Sequence, residues 1–316
     1  MPSSAYSLIL APAMLTLIAC GSLPVNRNIN NSTSLAENPK TPPIASPAYT
    51  GTQYTISVIQ FVNKVPSKIS NGGEAATKIM AGLLNSSGLK TILLDPNSPI
   101  EKDSHTLATQ SGNIRIRSAN TSDDINDPDY RISATITAYT EVEEGIDTLV
   151  FQKKVIVARI AVEYTLVDLI TGKSLLAESV LGEYRKDITG TSRSENIPAI
   201  DSNLRDSTLL DALGKATEKI IRRLSNLPFQ GKLLSVNDQD VILKAGTRSK
   251  LEESDQLDVY HLGEAILDLN SGKIIGYLES KVGVIEIVEH QDENLSKANI
   301  VSGIGIQAGD IVRQAP

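Results

Sequence analysis

The sequence has no tryptophan, one cysteine, three histidines and three phenylalanines among its 316 residues. A single cysteine excludes an internal disulfide, and so few Cys and His residues exclude a zinc cage built from them. The scarcity of aromatic residues disfavours an aromatic-lined ligand pocket. Lys and Arg total 30 against 37 Asp and Glu, and the resulting net charge of −7 disfavours a nucleic-acid surface.

The first twenty residues are typical of an export signal. The run from Leu8 to Ala19 is apolar and uncharged, and it is too short to cross a bilayer core that requires about 20 apolar residues. It ends in Leu-Ile-Ala-Cys at 17–20, which resembles the bacterial lipobox, whose cysteine receives diacylglycerol before cleavage. We interpret 1–19 as a lipoprotein signal peptide and Cys20 as the lipidation site. The alternative is an ordinary cysteine in a leader.

Residues 20–50 are predicted to be a lipidated, disordered tether. They are rich in Asn, Ser, Thr and Pro and contain few large apolar residues. Gly21 and Ser22 follow the cysteine, whereas an Asp at that place is the usual signal for inner-membrane retention in lipoproteins of this kind. We therefore expect a lipid-anchored protein on the periplasmic face of the outer membrane.

Residues 51–227 predict a mixed α/β domain. Asp168 and Gly172 suit a hairpin turn, because Asp bonds its own backbone and Gly accepts positive φ. We expect helices over 74–86, closed by Gly88, and over 207–224, opened by Asp206 or Ser207. The polar stretch 95–128 predicts a long loop. The predicted strands are 54–61, 90–94, 130–140, 149–169 and 174–185.

Residues 228–316 predict a second domain, a small all-β barrel, because short apolar runs alternate there with Gly and Asp turns. The fold class predicted for the whole chain is therefore α+β. The turn at 268–273 repeats the chemistry of the turn at 168–173. The predicted strands are 231–236, 240–244, 256–261, 274–278, 282–288 and 297–301.

The order of these segments resembles the CsgG/HfaB family of outer-membrane lipoproteins. The resemblance combines Cys20, the tether and the strand pair closed by Val-Asp-Leu-Ile-Thr-Gly-Lys at 167–173. The first domain also resembles the N-terminal domain of TolB, and residues 231–312 resemble the C-terminal domain of FlgT. Family membership implies assembly or secretion of surface structures of the curli, holdfast or flagellar type, through protein contacts, with a ring of like subunits as one arrangement.

The sequence departs from a pore-forming member at the two places where hairpins would enter the membrane. The segment from Thr140 to Thr148 is acidic, and we expect it to be too short for a membrane-spanning strand. Residues 182–203 lack the alternating apolar residues that such a strand needs. Lys or Arg facing lipid near the midplane would cost about 2 to 4 kcal/mol each. We therefore expect a periplasmic member that does not line a pore.

Chemistry-bearing residues do not form a recognisable catalytic motif, so we expect no enzyme activity, cofactor or metal. Gly303, Gly305 and Gly309 are better suited to a turn than to a phosphate loop. Each histidine is a candidate base, although solvated or strand-surface roles are simpler. Glu141, Glu143 and Glu144 are interpreted as a charged turn. The histidines are His105, His261 and His290, and a weak calcium candidate comprises Asp123, Asp124, Asp127 and Asp129.

The sequence leaves three function classes, of which an enzyme is the least favoured. The first is an assembly or secretion factor that contacts other envelope proteins. The alternative is an activator of a cell-wall synthase, since lipoproteins with TolB-like domains and similar tethers do this. A tether of about 30 residues spans at most ~100 Å when extended, which is short for reaching through the cell-wall mesh.

Replacement of the lipid-bearing thiol tests the anchor. Cys20→Ser removes the only cysteine, and we expect the protein to leave the membrane fraction, because stable attachment depends on the acyl chains. Fractionation of cell envelopes measures the change. Unchanged membrane association of the variant would show that the lipidation interpretation is wrong.

Overall fold

The computed structural model describes residues 47–94, 127–147, 152–188, 202–269 and 274–314, which lie within one compact unit, Pro39–Pro316. In these residues the protein is mostly β, with two sheets and two α-helices. This content is consistent with the predicted α+β class. Each sheet has its own cluster of buried apolar side chains.

The first sheet combines parallel and antiparallel pairing. Its strands are β1 (Thr55–Ile59), β2 (Val62–Asn63), β3 (Lys90–Leu94), β4 (Tyr130–Asp147), β5 (Gln152–Asp168) and β6 (Ser174–Asp187). Their order is β3-β1-β4-β5-β6, with β2 paired to β4. β1 lies parallel to β3 and β4, whereas β4, β5 and β6 are antiparallel, and β5 and β6 form the predicted hairpin.

Two helices, α1 (Gly72–Ser86) and α2 (Ser202–Ser225), share the core of this sheet. Met80 of α1 and Leu213 of α2 are fully buried there, together with Ile132 of β4. Successive strand residues point to opposite faces. Because Ser133 next to Ile132 is only half-buried, the helices leave the other face of the sheet open.

The helix ends differ in how well the sequence predicts them. Gly88 has φ 98° just after α1, which confirms the predicted C-terminal glycine. The predicted start of α2 at Asp206 or Ser207 is wrong, because the helix begins at Ser202. Leu204 is buried in the core shared with the rest of α2, so the apolar stripe and the helix continue through these polar residues.

The folded body begins before residue 50, where the predicted tether ends. Tyr49 is buried against the first core, and its N–H donates to the Ser87 carbonyl at 2.8 Å. The tether is predicted to reach residue 50 because the sequence there is polar, and this composition does not reveal the contact that one aromatic residue makes. The folded body therefore includes Tyr49.

The first candidate membrane hairpin is part of a long strand. β4 continues through Glu141 to Asp147, paired with β5 from Ala158 to Gln152, so the predicted break after Thr140 is wrong. Cross-strand pairing extends the acidic stretch, although its local composition predicts a turn. The expectation that this segment is too short for a membrane-spanning strand is also wrong, since β4 has 18 residues.

The second sheet contains strands from the last third of the chain. They are β7 (Gln230–Asn237), β8 (Asp240–Lys244), β9 (Gln256–Leu267), β10 (Ile274–His290), β11 (Leu295–Gly303) and β12 (Ile311–Gln314). The pairing order is β10-β11-β8-β7-β12-β9, and β9 pairs again with β10. Two predicted strands, 274–278 and 282–288, are one continuous β10 that contains bulges. The Gly303, Gly305 and Gly309 turn joins β11 to β12, with positive φ at all three residues.

Gly182 sets the distance between β6 and α2. A Cβ there would lie 2.3 Å from the Thr208 carbonyl oxygen and 2.8 Å from the Ala212 Cβ. We expect Gly182→Ala to lower the free energy of unfolding by about 1 to 3 kcal/mol, because the helix must move away. Urea denaturation measures it. Gly145→Ala is the control, since a Cβ on that strand residue meets nothing within 4 Å; equal effects would contradict the packing argument.

Candidate functional site

Several predicted site residues lie outside the described residues: Cys20, His105, Asp123 and Asp124. Asp129, from the acidic cluster, accepts the N–H of Thr55 and pairs with Lys244 of the second sheet at 2.8 Å. Lys244 also donates to the Asp127 carbonyl. The part of the cluster that the structure describes therefore joins the two sheets, and no group of metal-binding side chains occurs among the described residues.

The two described histidines make structural contacts. His290 uses both ring nitrogens, Nδ1 at 2.7 Å from the Ser296 hydroxyl and Nε2 at 2.9 Å from the Leu251 carbonyl. His261 Nδ1 lies 2.8 Å from the buried carboxylate of Asp310. That carboxylate also accepts the N–H of Gln307 and so holds the turn before β12. These histidines stabilise loops of the second sheet.

The β5–β6 turn docks on the second sheet through Asp168. Its buried carboxylate accepts hydrogen bonds from the N–H groups of Ile170 and Thr171 and from the Thr171 hydroxyl. Gly172 has φ 69°, which confirms the predicted turn. Asp168 Oδ2 also accepts a bond from the Gln230 amide at 3.0 Å. One carboxylate therefore shapes the turn and fixes it to β7.

A charged cluster continues from Gln230 across the second sheet. The Arg313 guanidinium donates to Gln230 at 2.8 Å, makes a two-pronged contact with the Glu279 carboxylate and lies over the Tyr260 ring. Lys173 of the β5–β6 turn also reaches Glu279, at 3.1 Å. The hydrogen bond from Arg313 is the main cause that lowers the pKa of Glu279 to about 2, against the opposing effect of burial.

Four charged side chains on the extended end of the first sheet form a network that sequence reasoning missed. Arg159 of β5 bonds Glu183 of β6 at 2.7 Å and lies 3.5 Å from Glu144 of β4. Arg185 reaches the same two carboxylates. The predicted charged turn at Glu141, Glu143 and Glu144 is therefore wrong, because all three lie on β4 and Glu144 has partners on β5 and β6. Only the strand register brings these charges together.

The open face of the first sheet bears a trough of about 690 Å³. Small or polar side chains cover its floor, and the Ser133 and Thr165 hydroxyls share a hydrogen bond of 2.7 Å there. Ile59 and Val62 also line the trough, and Val62 is 56% exposed. The floor residues are Ser133, Thr135, Glu163, Thr165, Ala177 and Ser179. Small side chains leave the strand surface accessible.

The trough reaches the free edge of the sheet at β6. Farther along β6, side chains of α2 cover the outward backbone groups: Asp211 accepts the Glu183 N–H, and Lys215 donates to the Leu181 carbonyl. Alternate residues share this outward direction in an antiparallel strand, so Ala177 and Ser179 also point their backbone groups outward. Among the described residues, these groups have no such cover, and an exposed edge is a template for strand pairing.

Comparisons with known proteins give weak similarities. No family model and no curated protein matches the chain. Among solved structures, it is similar to a PelC dodecamer from Paraburkholderia phytofirmans, at 16% identity and TM-score 0.30, covering 55% of this chain and 92% of that one. It is also similar to lipoprotein GNA1162 from Neisseria meningitidis (18%, TM-score 0.27, 55% and 99%) and a minor lipoprotein from Acinetobacter baumannii (9%, TM-score 0.27, 54% and 93%). Values this low do not establish a family.

Among the described residues, no helix is both long and apolar enough to cross a bilayer.

The charged cluster around Glu279 makes the free energy of unfolding depend on pH. Since the pKa of Glu279 falls from 4.5 to about 2 on folding, its contribution is complete above about pH 4.5 and is lost as the pH falls through 2. We expect Glu279→Gln to lower the free energy of unfolding at pH 7 by roughly 1 to 2 kcal/mol after allowance for solvent screening, and by much less at pH 2.

Urea denaturation of wild type and variant across this range measures the difference. Glu74→Gln is the matched control, since Glu74 pairs with Lys78 on an exposed helix surface and should change stability little. Parallel pH profiles for wild type and Glu279→Gln would contradict the assignment.

Proposed function

We propose that the chain is a lipoprotein anchored by Cys20 to the periplasmic face of the outer membrane, where it serves assembly or secretion of surface structures through protein contacts. The CsgG/HfaB resemblance supplies the class of process: curli, holdfast or flagellar-type assembly. The observation that carries the proposal is the trough on the open face of the first sheet, bordered by the β6 edge at Ala177 and Ser179, whose outward backbone groups no described residue covers.

The chemistry of this surface favours a polypeptide partner. Outward N–H and C=O groups of an edge strand are satisfied in register by another extended chain. A strand added beside Ala177 and Ser179 would place every second side chain on the trough side of the sheet, next to these two small residues. Bulky side chains of the partner would therefore fit there. On the helix side it would meet Glu178, which is paired with Lys219. The surface therefore suits a partner segment with alternating large and polar residues.

Protein contact, rather than catalysis, is the proposed mode of action. The trough offers hydroxyls and one carboxylate, Glu163, and the described histidines are engaged elsewhere in loop contacts. Ligand pockets bury most of a small molecule, whereas this trough lies on an open sheet face. We propose that no cofactor or metal is required.

Two finer features belong to the same proposal. The ring of strand pairings in the second sheet is proposed to close a small barrel, so that its strands present few free edges. A ring of like subunits is proposed to form by head-to-tail contact, which closes when the rotation allows it. Leu93 on edge strand β3 and Leu181 on edge strand β6 are both about half exposed, which supports contacts at either side.

Photo-crosslinking in intact cells tests the surface. A photoreactive residue at Ser179 should form adducts with components of a secretion or appendage-assembly system, and the same residue at Glu218, on the exposed side of α2, should not. Mass spectrometry identifies the adducts. Recovery of a cell-wall synthase instead would favour the alternative, an activator of that enzyme.

A backbone variant separates edge pairing from other contacts. Ala177→Pro removes the outward N–H but leaves the pairing with β5 intact, since proline is tolerated where the N–H faces away from the sheet. We expect adducts at Ser179 to decrease several-fold while the protein remains in the membrane fraction. Unchanged adduct yield would show that the partner does not pair with the edge.

A further inference from the structure

The β9–β10 hairpin ends in an exposed aliphatic cluster that neither the trough nor the junction between the sheets uses. We call Ile266, Leu267, Leu269 and Ile275 the hairpin tip. Ile266 and Leu267 are 42% and 48% exposed, Ile275 is 53% exposed and Leu269 is 99% exposed. Neighbouring residues of a strand point to opposite faces. Because Ile266 and Leu267 are both exposed, apolar side chains on both faces of the hairpin reach solvent.

The base of this hairpin is fixed to the first sheet. Lys173 of the β5–β6 turn pairs with Glu279 of β10, and its side chain lies about 3.5 Å from the position of a Cβ on Gly276. Arg313 holds Glu279 from the other side. These contacts fix β10 from Glu279 to Gly276, the residue paired with Ile266, against the first sheet, while the four side chains of the hairpin tip remain exposed.

The chain from Cys20 enters the body at the same end of the first sheet. Tyr54 lies edge-on to Tyr130 at 4.9 Å, and Tyr130 pairs with Asp168 at the start of the β5–β6 turn. The preceding residue, Gln53, bonds the Arg248 carbonyl of the second sheet. The entry of the tether and the base of the hairpin therefore belong to one junction.

The length of the predicted tether limits how far this junction could lie from an anchoring bilayer. Cys20 and the first described residue, Pro47, are separated by 26 residues. Fully extended, a chain of this length spans at most roughly 90 Å. An acylated Cys20 would therefore keep the junction, and the hairpin with it, within that reach of the membrane surface.

We propose that the hairpin tip rests in the headgroup region of the anchoring bilayer, a second contact beside the acyl chains. This inference depends on the proposed anchor at Cys20. The cluster is purely aliphatic, whereas protein-binding hot spots are enriched in aromatic residues and Arg. The sequence 265–278 carries one acidic residue, Asp268, and one basic residue, Lys273, and so has no net charge; a zwitterionic lipid surface is the partner of matching chemistry.

The absence of tryptophan from the sequence allows a direct test. The full lipidated chain carrying Leu269→Trp is reconstituted in phosphatidylcholine vesicles, with Val62→Trp as the matched control on the first sheet. We expect the indole at position 269 to shift its emission to shorter wavelength and to be quenched by brominated lipid several-fold more than the indole at position 62. Ile275→Trp repeats the measurement at a second position, and circular dichroism checks folding.

Vesicle flotation separates the two hypotheses. Protein that floats with the vesicles but shows equal, weak quenching at positions 269 and 62 would overturn the hairpin contact and leave the anchor standing. Protein that does not float would overturn both. A shift at position 269 without vesicles, increasing with protein concentration, would show that a second copy covers the tip and would also overturn the lipid contact.

Discussion

Asp168 accepts hydrogen bonds from its own turn and from Gln230 on the other sheet, and the rest of the junction depends on this arrangement. The turn fixes Lys173 beside Glu279, and Arg313 completes the cluster. A second contact, between Asp129 and Lys244, has little solvent exposure on either side. Removing one partner of a shielded pair costs more than the pair contributes, since the other charge remains unmatched. Each shielded pair therefore stabilises the junction only while both of its partners are present.

The two faces of the first sheet differ in composition. This difference explains why one face packs against the helices and the other stays accessible to partners. On the helix face, Ile132, Val162 and Leu166 are fully buried beneath α1 and α2. On the other face, the same strands carry Ser133, Glu163 and Thr165, which would gain little from burial under a helix. Small and polar side chains keep this face accessible without exposing a large apolar patch. Stability and partner access are thus assigned to opposite sides of the same strands.

Local signals in the sequence predict the hairpin turn and much of the secondary structure. Asp168 and Gly172 have the turn chemistry that the structure shows, and α1 follows the spacing of its apolar residues. The predictions are wrong where contacts with residues distant in sequence determine the structure. Glu144 lies in a strand because β5 pairs with it and Arg159 and Arg185 neutralise it. Tyr49 belongs to the core because of the distant residues around it.

Candidate site residues show the same division. Cys20 is a prediction from local sequence alone, and it lies outside the described residues. By contrast, the trough is built from β4, β5 and β6, and its residues share no motif along the chain. Only the register, which pairs Ser133 with Thr165 and Glu163 with Ser179, creates it. Sequence patterns predict the strands, but not which polar residues meet across them.

Direction along the sheet relates the two proposed contacts. β1 begins at Thr55, next to the junction, and ends at Ile59, which lines the trough. On β4, the trough begins at Ser133, three residues and about 10 Å beyond the paired Tyr130 and Asp168. An anchor that draws the junction toward a membrane would therefore leave the trough farther along the strands, accessible to other proteins. The strand direction allows lipid and protein contacts to be made at the same time.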